Sequence, residues 1–283
     1  MSELVMPGKL ASVSVVIPCH NNAHTLPITL ASVAAQTVPP AEIICVDDGS
    51  RDDTVALLKR LQESLFAPGV MKVIVLPKNV GAAAARNHGM NVATQDYIAF
   101  LDADDIWHER KIEIQMGWMQ QHPDADFSGH PLCWFRDATS VEAFRCSVLA
   151  ALPPPRLISV RDMLISNRFP TPSVILKRSI PLRFSEDLEV AEDYEMWTRI
   201  IMEGYAAYFL DLPLMSLQKA PYGDGGLTQD LQLMIDNQML MLGKFRERGK
   251  ITWLMYVWLR LFFHARHWRR VLRMRSGGFR DAV

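Results

Sequence analysis

The chain has 283 residues, enough for one large domain or one domain with an appendage, and 49% of them are hydrophobic, which supports a sizeable core. A net charge of -1 excludes a globally basic nucleic-acid binder, although the sum hides an asymmetry: six arginines and no acid lie between Arg260 and Arg275. The four cysteines (Cys19, Cys45, Cys133, Cys146) show no C-x-x-C spacing and read as reduced thiols. The N-terminus carries no basic segment followed by an apolar one, so no signal peptide is expected. No uncharged apolar run reaches the roughly 18 residues a membrane span needs. A cytoplasmic protein is expected.

The first hundred residues alternate between two periods. Val13–Ile17 reads as a strand stopped by Pro18, followed by a helix over 25–36 with Leu26, Leu30 and Val33 on one face. Glu42–Val46 reads as a second strand ending at Asp47-Asp48-Gly49-Ser50, and a helix follows over 53–65. Met71–Leu76 is a third strand, Gly81–Val92 an alanine-rich helix, and Tyr97–Leu101 a fourth strand. Apolar strands alternating with helices predict βαβ units and a parallel sheet covered on both faces.

Beyond Asp105 the rhythm changes. A helix is expected over 109–121, short strands over 125–150, a proline loop at 152–155, and a strand at 173–176. A helix is expected over 191–202, ended by Gly204, then a glycine-rich loop at 221–226 that reads as a lid or a plain turn. Two helices follow, over 228–247 and 252–274.

The strongest chemical signal is Phe100-Leu101-Asp102-Ala103-Asp104-Asp105, a short apolar run that stops at three carboxylates within four positions. Open α/β sheets bind ligands at the carboxyl ends of their strands. Two carboxylates in an acid-x-acid spacing can converge on one hard divalent cation, which in turn suits a diphosphate. The plainer alternative is a turn in which one of these aspartates caps the next helix. The other early strands also end in polar groups: Pro18, Cys19, His20, Asn21 and Asn22 after the first, Asp47 and Asp48 after the second. If the strands are neighbours these groups line one crevice that suits a nucleotide, with His20 placed to stack on a base. Arg86 is either a cation near that edge or a solvated helix position. Neither a P-loop nor a dinucleotide-binding glycine motif is present. In Glu192-Asp193-Tyr194-Glu195-Met196-Trp197, Asp193 and Trp197 share a helical face, which reads as a general base beside an aromatic platform or as acids favoured by the helix dipole.

The order Val16-Ile17-Pro18-x-x-Asn21, Val46-Asp47-Asp48-Gly49-Ser50, Gly81-x-x-x-Ala85-Arg86-Asn87, Leu101-Asp102-Ala103-Asp104-Asp105 and Glu192-Asp193-Tyr194-x-x-Trp197-x-Arg199 resembles glycosyltransferase family 2 over roughly residues 12–215. Each motif is weak alone. Five in the family's order are specific.

The resemblance implies an α/β GT-A fold: a mostly parallel, Rossmann-like sheet flanked by helices, with a C-terminal helical extension. It implies a catalytic domain over 1–220, with nucleotide-sugar binding in 12–105 and the acceptor side in 106–220. A loop and basic helical extension occupy 221–283. The implied reaction is inverting transfer from a nucleoside diphosphate sugar, a UDP-sugar first, to a hydroxyl of a glycan or lipid-linked glycan in cell-surface polysaccharide synthesis. By that likeness Pro18, His20, Asn21, Asp47, Asp48 and Arg86 line the nucleotide, and one of Asp47 and Asp48 reads the uracil edge. Asp102 and Asp104 hold Mg²⁺ or Mn²⁺ while Asp102 touches the ribose, Asp193 is the base, and Glu192 and Trp197 face the acceptor. His20 departs from the family's frequent tyrosine, and the Gln-x-x-Arg-Trp motif of processive synthases is absent, which favours single addition. Competing readings are a nucleotidyltransferase, whose glycine-rich loop after the first strand is missing here, and a non-catalytic membrane-peripheral module.

The segment 251–275 combines tryptophans with arginines and is too interrupted to span a bilayer. It reads as a helix on the cytoplasmic face of the inner membrane, or as one packed on the core or a partner.

Overall fold

A computed structural model describes residues 10–134, 153–217 and 230–275. The glycine-rich loop at 221–226, Cys146 and most of the expected strands between 135 and 150 lie outside the described residues.

The opening alternation is as expected. Strands β1 (Ala11–Cys19), β2 (Pro40–Asp47), β3 (Met71–Val75) and β4 (Tyr97–Phe100) are separated by helices α1 (Leu26–Ala34), α2 (Thr54–Leu65) and α3 (Ala82–Val92). Then come β5 (Asp105–Trp107), α4 (Lys111–Gln121), β6 (Phe127–Gly129) and β7 (Cys133–Trp134). After the gap follow β8 (Arg156–Leu157), α5 (Val160–Ile165), a 3₁₀ turn at Thr171–Ser173, β9 (Ile175–Lys177) and α6 (Glu192–Met202). The chain continues through β10 (Ala207–Phe209), β11 (Met215–Leu217), α7 (Leu231–Glu247) and α8 (Trp253–Arg275).

The main sheet runs β3-β2-β1-β4-β9-β6-β10-β8, and a small sheet runs β5-β11-β7. β3, β2, β1 and β4 are mutually parallel; β9 is antiparallel to both β4 and β6. The inserted β9 carries the 3₁₀ turn before it to the carboxyl end of β4, where the aspartates sit.

Side chains of β1 alternate between two cores. Val13, Val15 and Ile17 pack with Leu26, Leu30, Leu58, Ile112 and Met116 from α1, α2 and α4. Val16 packs on the other side with Ala83, Ala85, Phe100, Met196 and Trp197. α3 comes close to the sheet where its buried residues are small, at Ala83, Ala84, Ala85 and Gly89; a Cβ on Gly89 would overlap the Val16 side chain. Ile251, Leu259 and Phe263 join that same second core, so the C-terminal helices pack into the body of the fold.

Three local expectations are corrected. Pro18 does not stop the first strand, which runs on to Cys19. The last β1–β4 pair is Val16 with Phe100, so at Pro18 only β2 borders the strand, and a residue without an N–H is tolerated there. No aspartate of the 102–105 group caps a helix: Asp105 begins β5, which pairs with β11, and α4 starts after Arg110 without a side-chain cap. The long-range pairing to β11 overrides the local capping signal. The strand expected at 173–176 begins two residues later, its first part being the 3₁₀ turn.

Candidate active site

Two groups of polar side chains lie along the carboxyl edge of the parallel strands. The first surrounds a cavity of about 610 Å³ lined by His20, Asn21, Asp47, Gly49, Ser50, Arg51, Lys78 and Asn79, with Val75, Leu76 and Pro77 as apolar wall. Asp47, the last residue of β2, is buried; its Oδ2 accepts from the Ser50 amide at 3.1 Å, and its Oδ1 has no hydrogen-bond partner. A buried acceptor left without a donor is costly to the folded chain. The His20 ring is exposed and oriented from both ends: Nδ1 donates to the Asp48 carbonyl at 2.7 Å, and Nε2 accepts from Asn21 Nδ2 at 3.0 Å. Asn21 takes a left-handed φ of 54° and accepts the Arg51 amide on Oδ1.

Asp48 does not join the cavity. Both its oxygens are committed to the start of α3, accepting from the Val80 amide at 2.7 Å and the Gly81 amide at 2.8 Å. Of the adjacent pair only Asp47 lines the cavity, and Asp48 ties the β3–α3 loop to β2. Pro18 sits inside β1, half-buried, and is not part of the cavity wall.

The second group is built around Arg86. The solvated-position reading fails: Arg86 is 5% exposed, with Nη2 on Asp102 Oδ1 at 2.7 Å and Nη1 on Glu192 Oε1 at 2.6 Å. One planar guanidinium thus links the end of β4 to the start of α6. Those two carboxylates hold its pKa above the ordinary arginine value against the opposing effect of burial. Asn87 braces the same joint, donating to the Phe184 carbonyl and accepting its amide, both at 2.9 Å.

Asp193 stands beside Glu192 in the first turn of α6, after Ala191 in a left-handed conformation. Its Oδ1 accepts from the Tyr194 amide at 2.6 Å, and its Oδ2 accepts from Asn167 Nδ2 at 3.0 Å and Thr171 Oγ1 at 3.2 Å. Burial pushes the carboxyl up to about 7; the Glu192 charge adds to the rise, and Arg86 with the donors opposes it. A carboxylate poised there at neutral pH has the properties of a general base.

Asn167 and Thr171 carry no motif and were absent from the sequence expectations. They reach Asp193 because β9 runs antiparallel into the middle of the sheet, a placement with no local signature. Trp197 is a correction: it is fully buried and packs against Phe100, Phe127 and Phe184, with centroids 5.4–5.9 Å apart. It is core beneath the site and presents no platform to an acceptor. Its helical face points inward because α6 lies on the sheet.

Asp104 is half-buried, and Asp105 is buried at the start of β5. Among the described residues no three His, Cys, Asp or Glu side chains converge as a complete ligand set. Asp102 and Asp104 are carboxylates, the hard oxygen donors that a divalent cation takes.

The profile of glycosyl transferase family 2 matches residues 14–180, which contain both the cavity and the acid-x-acid pair. The chain belongs to this family. The Escherichia coli UDP-Glc:alpha-D-GlcNAc-diphosphoundecaprenol beta-1,3-glucosyltransferase WfaP is 32% identical over 197 residues, covering 69% of this chain and 72% of that protein. S. aureus TarS 1-349, solved with UDP-GlcNAc, superposes with a TM-score of 0.68 at 18% identity, covering 91% of this chain and 72% of that one. The mannosyltransferase PcManGT of Pyrobaculum calidifontis, solved with GDP-Man and Mn²⁺, gives 0.64 at 20% identity, covering 93% and 70%. At these identities the structures speak to the fold, which is GT-A. This family 2 member is therefore a glycosyltransferase whose base candidate, arginine link and cavity occupy one edge of a GT-A sheet.

Proposed function

We propose that the chain transfers a sugar, with inversion, from a UDP-sugar to a hydroxyl of a glycan or lipid-linked glycan. The observation that carries the reading is Asp193: a carboxylate poised near neutrality, fixed by Asn167 and Thr171, and joined through Glu192 and Arg86 to Asp102. Asp47 at the cavity wall, with one carboxylate oxygen unpartnered, supports a base that offers an N–H, as uracil does at N3. WfaP, whose name records a UDP-Glc donor and a diphosphoundecaprenol-linked acceptor, supports that donor and acceptor class.

In this reading His20 stacks on the base and Asp102 contacts the ribose. Asp193 takes the acceptor's proton while the acceptor oxygen bonds to the anomeric carbon. The bond from that carbon to the diphosphate oxygen breaks on the opposite face, its electron pair leaves with UDP, and one displacement inverts the centre. Asp102 and Asp104 are the residues that would hold Mg²⁺ or Mn²⁺, whose charge supports the departing diphosphate. Arg86 keeps Asp102 and Glu192 in register, acting through them. Glu192 borders the acceptor side and keeps Asp193 basic.

The test is Asp193→Asn assayed with UDP-sugars and Mn²⁺. Donor binding, read as a thermal shift, should persist while transfer is lost, and NMR of the wild-type product should show the inverted anomer. Near-full turnover by the variant, or a retained anomer, overturns the reading.

A further inference from the structure

The outer face of α8 is apolar where a helix on a soluble surface is ordinarily polar. Leu254, Trp258, Leu261, Ala265, Trp268 and Leu272 follow the helical repeat and share one stripe. The five large members are between 53% and 74% exposed, and Ala265 is exposed as well. At about 1.5 Å per residue the stripe runs roughly 27 Å. The opposite face carries the packing: Leu259 and Phe263 are buried, Arg266 donates to the Ile165 carbonyl at 2.9 Å, and Arg270 turns to Met234.

Charge narrows the choice of occupant. Trp253–Arg275 contains six arginines and no acid. Arg260 and Arg269 are exposed and fall on opposite flanks of the stripe, His264 beside Arg260. Long cationic side chains flanking an apolar stripe reach lipid phosphates while their stems and the stripe enter the acyl boundary. Tryptophan favours that depth. No described helix is long and apolar enough to cross a membrane, so the helix would lie in the interface plane.

We propose that this face of α8 docks the protein on an anionic phospholipid bilayer. The packed face then acquires a meaning. Phe263 meets the Tyr194 ring edge-on, with centroids 6.4 Å apart, and Tyr194 follows Asp193. Arg266 grips Ile165, two residues before Asn167, which holds Asp193. The lipid plane thus lies about one helix diameter, roughly 10 Å, from the elements that position the base. Bringing a lipid-linked acceptor to Asp193 rests on the function proposed above; the docking itself does not, and it is measured without any sugar donor.

The experiment is co-sedimentation of the full chain with vesicles of phosphatidylcholine alone or of equal parts phosphatidylcholine and phosphatidylglycerol. The wild type should partition to anionic vesicles at least about tenfold more strongly than to neutral ones. Trp258→Ser with Trp268→Ser, and separately Arg260→Glu with Arg269→Glu, should each lower that partition about tenfold or more. All four residues are exposed, so the fold tolerates the changes, and an unchanged circular-dichroism melt confirms this. Leu157→Ser, an exposed apolar position on β8, should leave partition unchanged. No partition, equal partition of the doubles and the wild type, or an equal loss in Leu157→Ser overturns the proposal. Sedimentation equilibrium without vesicles should show a monomer; a dimer split by the tryptophan double gives the face to a second copy and overturns it too.

Discussion

Burial and the Glu192 charge push the Asp193 carboxyl up to about 7, from about 3.8 for an aspartate in water. Between those values the folded chain keeps a proton that the unfolded chain has released, so the native state loses stability as pH rises across that window. About three pH units at 1.36 kcal/mol each amount to about 4 kcal/mol of native-state cost, fully present above pH 7. Asp193→Asn removes this cost because the amide never ionises. It also gives up part of the hydrogen bonding: an amide NH₂ replaces one acceptor, against donors from Asn167 and Thr171, at about 1–2 kcal/mol. The net expectation is a variant about 2–3 kcal/mol more stable than wild type near pH 8 and slightly less stable near pH 4. Urea unfolding of both proteins across that range reads it directly. The stability difference should climb by about 1.4 kcal/mol per pH unit between roughly pH 4 and 7, then level off. A difference independent of pH refutes the assignment of a raised Asp193. The wild-type transfer rate should rise with pH through the same midpoint, since the base works ionised. The inactive variant would then be the more stable protein, the trade expected where a site holds a charge against burial.

Arg86→Leu leaves Asp102 and Glu192 facing each other without their cation, and denaturant melts should show a loss of about 3–5 kcal/mol. Where folding survives, the midpoint of the pH–rate profile should move above 7, because Arg86 lowers the Asp193 pKa. Lys111 is fully buried, its Nζ has no hydrogen-bond partner among the described residues, and it stands 4.1 Å from the centre of the Trp107 ring. Burial holds its pKa well below the ordinary lysine value. Lys111→Met should raise the urea midpoint, by about 1–3 kcal/mol of stability near neutral pH. Gly49 has φ +64°, and a Cβ there would stand 2.7 Å from the Asn79 amide nitrogen. Gly49→Ala should cost at least about 1–2 kcal/mol and weaken UDP binding by calorimetry, since the displaced residues wall the cavity.

The βαβ half was legible because strands buried on both faces must be nearly continuously apolar, and Val13–Ile17, Glu42–Val46 and Tyr97–Leu101 are. The acids at 102, 104 and 105 were legible because carboxylates directly after such a run have to emerge at a sheet edge. Asp193 showed through its place among five ordered motifs. Sequence could not tell Asp47 from Asp48, which are neighbours of the same type. Only the approach of the β3–α3 loop commits Asp48 to two backbone amides and leaves Asp47 facing the cavity. Nor could it separate a platform Trp197 from a core Trp197, since a helical repeat marks a face without saying what covers it. The same ambiguity ran the other way in α8, where the stripe from Leu254 to Leu272 proved to face outward.

Composition and period by themselves determined the element types, because these depend on local chemistry repeated along the chain, and the resemblance carried by the five motifs implied the family and the base candidate. Tertiary structure decided the rest. Arg86 joins Asp102 to Glu192 across 16 and 106 positions of sequence, and Asn167 and Thr171 reach Asp193 across 26 and 22. Such contacts exist only once β9 enters the sheet and α6 settles on it, and no local signal encodes them.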